Sequence, residues 1–204
     1  DSMRRITLTD LVDIISKSGT HKAKKVKSIL ERDDYHPAFD FYKKVRDSIV
    51  AYHKGSITKK DFIKVSTHLA DLKKEVAYEN IVKQYISFLG RKEIEWFIPP
   101  TFLYEKDKIA ISINPELGLI INRKKHLIKL YFKSEALVTH KIDVITHLME
   151  ISLKSKVPAK TTMSVLDIQN RKLISPTVPI DGMTAMVDAE LAYIVTIMES
   201  LKIK

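Results

Sequence analysis

The chain has 204 residues, a formal net charge of +10, 45% apolar and 29% charged residues, and no cysteine. A chain of this size and composition can bury a core without a covalent or metal staple, and the lack of thiols excludes disulfides, thiolate metal centres and cysteine nucleophiles. No apolar run approaches the roughly 20 residues of a membrane helix, and Asp10 and Asp13 interrupt the apolar segment behind Arg4 and Arg5, so neither a membrane span nor a signal peptide is expected and a cytoplasmic location is the default.

Residues 1–95 read as helical. Thr7 or Thr9 caps a first helix with Leu8, Leu11, Val12, Ile14 and Ile15 as its apolar positions. Gly19 stands where a left-handed C-cap residue belongs. A basic helix over about 20–31 follows, with Val26, Ile29 and Leu30 inward. Asp33, Asp34 and Pro37 interrupt it. Pro37 suits the first turn of a third helix, in which Ala38, Phe41, Tyr42, Val45, Ile49 and Tyr52 recur at helical spacing as far as Gly55. Thr58 and Asp61 form a capping-box pattern ahead of Phe62, Val65, Leu69 and Leu72. A fifth helical pattern runs over 76–89 and stops at Gly90.

Paired prolines at Pro99 and Pro100 begin an extended region. Residues 108–113 alternate, with Ile109, Ile111 and Ile113 on one face. Asn114-Pro115-Glu116-Leu117-Gly118 is a turn signal, 119–121 a short strand, and Asn122-Arg123-Lys124-Lys125 a second turn. Residues 126–133 alternate again: Lys129, Tyr131 and Lys133 share one face, Ile128, Leu130 and Phe132 the other. This spacing predicts a three-stranded antiparallel meander. A helix over 141–155 follows, then a strand over 164–168 that a right-handed crossover would lay parallel to a meander strand. A short return over 172–174, a loop over 177–182 and a helix over 184–202 complete the chain. The expected fold class is α+β (mixed α/β): a helical region over 1–95, then a domain over 96–204 in which helices flank a small mixed sheet, the two regions able to share one core.

Two segments are strongly basic. Arg123, Lys124, Lys125, Lys129 and Lys133 lie within eleven residues, with His126 and Tyr131 among them. Lysine neutralises phosphate and tyrosine stacks on bases. The helix–glycine–helix of residues 8–30 resembles a helix-turn-helix, whose second helix would present Thr20, His21, Lys24 and Lys25 to a major groove, with Lys22 beside them. The seven histidines (21, 36, 53, 68, 126, 140 and 147) form no i,i+4 pair and no HExxH. There is no phosphate-cradling glycine loop and no GxSxG. No metal or cofactor is therefore expected.

The succession helix, meander, helix, strand over about 76–202 resembles the core of the PD-(D/E)XK nuclease superfamily. The resemblance implies Mg²⁺ held by a carboxylate near the second strand and by an acid-x-lysine motif on the third. Glu116 takes the first acid's place and Lys133 the lysine's, but two residues before Lys133 stands Tyr131; with Lys129 as the lysine, the acid's place falls to Leu127. The motif is not intact, so the resemblance implies a fold rather than ordinary metal-dependent cleavage. A divergent phosphodiesterase would need Mg²⁺, Glu116, Lys133 and a further acid such as Asp167 or one from a second chain. The expected function is nucleic-acid association without chemistry, through Lys22, Lys24, Lys25, Arg123, Lys124, Lys125, Lys129, Tyr131 and Lys133. The alternatives are that phosphodiesterase and a protein-interaction or assembly module, a homo-oligomer included, whose charge is incidental.

Overall fold

The computed structural model describes residues 3–32, 40–176 and 179–201. Its elements are β1 (Arg4–Thr7), α1 (Leu8–Ile15), α2 (Gly19–Leu30), α3 (Lys43–His53), α4 (Lys59–Lys64), α5 (Leu72–Leu89), β2 (Ile94–Phe97), β3 (Phe102–Lys106), β4 (Ile109–Ile113), β5 (Leu117–Ile121), β6 (Lys124–Tyr131), α6 (Thr139–Leu153), a 3₁₀ turn (Lys154–Lys156), β7 (Thr162–Asp167), β8 (Lys172–Ile174) and α7 (Met183–Ser200). The architecture is mixed α/β, with N-terminal helices, mixed sheets and flanking helices. No described helix is long and apolar enough to cross a membrane. The breaker residues Asp33, Asp34 and Pro37, the helical position Ala38, and the loop residue Thr177 lie outside the described residues.

The strands form two sheets, ordered β1-β4-β3 and β2-β5-β6-β7-β8. The expected meander is therefore corrected. β5 and β6 make its second hairpin, but β4 pairs parallel with β1 and antiparallel with β3. Two residues explain the separation. Pro115 disfavours a helical turn at Asn114, which favours a chain that runs onward over one that folds back. Gly118 then lets β2 approach β5: a Cβ there would lie 2.4 Å from the Phe97 carbonyl oxygen and 2.6 Å from its ring. β2 thus takes the edge of β5 that the meander would have given to β4. The strand after α6, β7, lies parallel to β6 as expected, and β8 returns antiparallel to β7.

Residues 1–95 are not purely helical, because β1 precedes α1 and β2 begins at Ile94. Thr7 rather than Thr9 caps α1, in a capping box with Asp10. Asp10 also receives two bonds from Arg32, at 2.9 and 3.2 Å. Burial works to raise its pKa, but the bonds from Arg32 and Thr7 hold it below the ordinary carboxylate value. Arg4 reaches the carbonyls of Leu30 and Arg32, closing the C-terminus of α2. Gly19 has the expected positive φ of 52° but opens α2. The predicted Thr58–Asp61 capping box forms. The helix it opens stops at Lys64, and Leu72 instead starts α5, 76% exposed.

Each face of the five-stranded sheet is covered. On one side Leu117, Leu119, Ile121, Ile128, Leu130, Phe132, Leu166 and Ile168 pack with Val45, Ile49 and Phe62 and with the α5 residues Tyr78, Ile81, Val82, Tyr85 and Phe88. On the other, Leu127, Met163 and Val165 join a core that contains β1, α1, α2, β4, α6 and α7 residues, Ile6 to Met198. Residues from both sides of position 95 contribute to each core. β6 is therefore a central strand with helices over both faces, and its polar residues Lys129 and Tyr131 are not on an open surface.

Candidate nucleic-acid interface

The alternation predicted for β6 is present, but the face that carries Lys129, Tyr131 and Lys133 lies beneath α1 and α6. A narrow crevice there is lined by Leu8, Asp13, Lys129, Tyr131, Leu137 and Lys141, among others. Lysine can occupy such a place only with its charge compensated. Lys129 meets Glu116 at 2.5 Å, the two side chains 16% and 11% exposed. Glu116 Oε2 also accepts the Leu130 amide at 2.8 Å. Glu116 is thus not a solvated turn residue but a bracket that fixes the β4–β5 connection to β6.

Lys133 Nζ lies 3.1 Å from Asp13 Oδ2. Lys25 and Lys141 approach the same carboxylate at 3.7 and 3.9 Å. Tyr131 donates to the Glu135 carbonyl at 3.1 Å. Burial, with the carboxylates of Glu135, Asp13 and Asp167 nearby, pushes its phenol up to about 12, so it stays protonated at physiological pH. Asp167 is buried and accepts the backbone and side-chain N–H groups of Asn170 at 3.2 and 2.8 Å. Glu116, Lys133 and Asp167 therefore each have an internal partner. Among the described residues no three His, Asp or Glu side chains group as metal ligands.

On α2, Lys22 is paired with Glu190 at 2.6 Å and lies over the Tyr193 ring, which docks the helix on α7. Lys25 turns to Asp13. Thr20, His21 and Lys24 are exposed, so the face left open is narrower than the helix-turn-helix resemblance implied.

The opposite end of β6 is different. Asn122 and Arg123 form the β5–β6 loop with φ of 47° and 68°, the two left-handed positions of a type I′ hairpin. The Asn122 amide donates to the Glu93 carbonyl and its side-chain oxygen accepts the Glu93 amide, at 2.9 and 3.0 Å. The tip is thereby pinned to the segment entering β2. Arg123 and Lys124 are exposed and make no ion pair among the described residues. Lys125 reaches the Ala159 carbonyl at 3.4 Å. The exposed Lys160 follows the Ala159 that Lys125 reaches, in the turn that leads into β7. Arg91, also exposed, stands two residues before Glu93. Glu93 and Glu95 are the carboxylates on that edge. Burial and then the charge of Lys124 depress the His126 pKa.

The nine sequence-predicted contact residues thus divide. Arg123, Lys124 and Lys24 are exposed and Lys125 is partly exposed, whereas Lys22, Lys25, Lys129 and Lys133 are in ion pairs and Tyr131 is half-buried. Asn122's two bonds to Glu93 escaped sequence reasoning because the partners are 29 residues apart. Asp13 and Lys141 escaped it because each sits within an apolar helical pattern, where a charge reads as an outward-facing residue. No family model, curated protein or solved structure matches the chain.

Proposed function

We propose that the chain associates with nucleic acid without performing chemistry on it, and that the contact surface is the β5–β6 hairpin end. There Arg123, Lys124 and Lys125 lie at the rim of the five-stranded sheet. The observation that carries this is the backbone at Arg123. A φ of 68° favours glycine, and a residue with a Cβ is destabilised there by about 1 kcal/mol. The sequence nonetheless places an arginine at the tip, with no carboxylate paired to it among the described residues. A guanidinium so exposed is suited to bidentate contact with a phosphate. Glu116, Lys133 and Asp167, the residues that a nuclease-like site would call on, serve internal bonds.

The test is fluorescence anisotropy of labelled single- and double-stranded oligonucleotides over a salt series, with the triple variant Arg123→Ser/Lys124→Ser/Lys125→Ser. Each phosphate contact contributes about 0.7–0.9 to the slope of log affinity against log salt. The variant should lose about two to three of these and bind at least about tenfold more weakly. Wild-type protein that fails to bind at low salt, or a variant with unchanged slope, ends this proposal.

A further inference from the structure

The second basic cluster has a chemistry of its own. Asp13, in the last turn of α1, lies within 4 Å of three lysines that come from three other places in the chain: Lys25 of α2, Lys133 beyond β6 and Lys141 in the first turn of α6. One carboxylate compensates one ammonium. The other two carboxylates on this face of the sheet are already engaged, Glu116 by Lys129 and the Leu130 amide, Asp167 by Asn170. Glu135 is exposed on the connecting loop.

Lys141 is the unusual member. Only 8% of the residue is exposed, its ammonium makes no hydrogen bond among the described residues, and the Asp13 oxygen at 3.9 Å is its ionic partner. The ammonium tip still reaches solvent, so its donors are open to a further acceptor. Lys141 is the third residue of α6, at the helix N-terminus. That N-terminus is uncapped: Val138 supplies no side-chain acceptor, and the first turn has no acid. The Lys141 and Ile142 amides turn back to the Val138 carbonyl at 3.0 and 3.4 Å, which leaves the Thr139 and His140 amides as the orphan donors of α6, beside Lys141 and the half-exposed Lys25 and Lys133.

We infer that this cluster is a binding site for a tetrahedral dianion of the phosphate-monoester class, with Asp13 as the intramolecular anion that occupies it when no ligand is bound. Two ammoniums in excess of Asp13 match a dianion, and the first turn of α6 adds uncharged donors. The site lies about 25–30 Å from the hairpin tip, the span of β6 and the residues beyond it at about 3.3 Å each, and does not depend on the hairpin proposal. Inorganic phosphate and the 5′-phosphate of a nucleic-acid strand present the same chemistry.

The experiment is isothermal titration of the full chain with inorganic phosphate at constant ionic strength, on wild type and on Lys25→Met, Lys133→Met and Asp13→Asn. Saturable phosphate binding is expected, weakened at least tenfold by Lys133→Met and several-fold by Lys25→Met. Asp13→Asn should tighten it several-fold, because the competing carboxylate is gone; a purely structural salt bridge gives no such gain. Lys25 and Lys133 are partly exposed, so their loss leaves a folded protein to measure. In a second arm, a 5′-phosphorylated oligonucleotide that displaces phosphate where its 5′-hydroxyl counterpart does not identifies a strand end as ligand. Displacement by neither identifies the free ion. No saturation in wild type and Asp13→Asn alike, or saturation that Lys133→Met leaves unchanged, overturns the inference.

Discussion

His53 makes the fold sensitive to acid. It sits at the end of α3 with Nε2 2.6 Å from the Tyr85 hydroxyl. Its ring lies parallel to the indole of Trp96 at 6.5 Å and edge-on to Tyr52 and Tyr85. Burial lowers its pKa from 6.5 to about 4, and burial also drives the Tyr85 phenol well above its ordinary value. The pair is therefore a neutral imidazole and a neutral phenol. The unfolded chain binds a proton at His53 below pH 6.5 and the folded chain resists it down to about 4, so stability is fully present above the upper value and is lost as pH falls toward the lower one. At about 1.4 kcal/mol per pH unit, the loss approaches about 3 kcal/mol by pH 4, a large part of the roughly 5–15 kcal/mol that stabilises a typical domain. Trp96, the one tryptophan, reports on the site. Urea unfolding followed by its fluorescence should show the midpoint falling between pH 6.5 and 4.5 in wild type. The fall should be much shallower in His53→Gln, whose amide can still bond Tyr85 but does not titrate. An NMR titration that places the His53 pKa above about 6, or parallel pH profiles for the two proteins, refutes the argument.

Four further outcomes follow from individual contacts. Arg123→Gly should stabilise the protein by about 1 kcal/mol, by relieving the left-handed backbone, while reducing the salt slope of oligonucleotide binding by about one; calorimetry and anisotropy on the same sample check both signs. Gly118→Ala should destabilise by about 2–3 kcal/mol, since the new Cβ meets the Phe97 backbone; an unchanged urea midpoint would show that β2 can retreat from β5. Glu116→Gln should reduce stability by about 3 kcal/mol, because it leaves the Lys129 ammonium buried without its counter-charge, and adding Lys129→Met should recover part of that loss in a double-mutant cycle. Tyr131→Phe removes a hydroxyl bonded only to the Glu135 carbonyl among the described residues, so it should shift stability by about 1 kcal/mol and leave oligonucleotide binding within twofold.

Local chemistry made much of the secondary structure legible. Thr7-Asp10 and Thr58-Asp61 cap helices as their spacing implies, and Gly90 ends α5 with positive φ. The alternation of 126–133 locates β6 and both of its faces. Pairing was less legible, because it depends on residues far apart in sequence. β1 is four residues long with a single buried position, too short for alternation to mark it. β2 and β3 flank Pro99-Pro100, whose extended path hides where a strand ends. The pairing of β5 with β2 turns on one missing side chain at Gly118, which read only as part of a turn. At the site, the cations themselves were legible but their partners were not: Asp13 is 120 residues from Lys133, and Glu190 is 168 from Lys22.

That separation bears on how positive charge relates to function in this chain. A lysine in the middle of a covered strand must bring a carboxylate with it, since desolvating an ammonium is far more unfavourable than the attraction of a distant polyanion can offset. Lys129 meets that condition through Glu116, and so adds little to the outer field. A cation at a strand end has no such requirement. Arg123 and Lys124 lie where β6 leaves the cover of the helices, and their charges remain available to solvent. The split therefore follows from position along one strand: density of cations in the sequence locates β6, and helix cover decides which of them can meet a phosphate. It also fixes what a salt titration should see. Removing a buried lysine should change stability and leave the salt slope alone, whereas removing a hairpin cation should do the reverse.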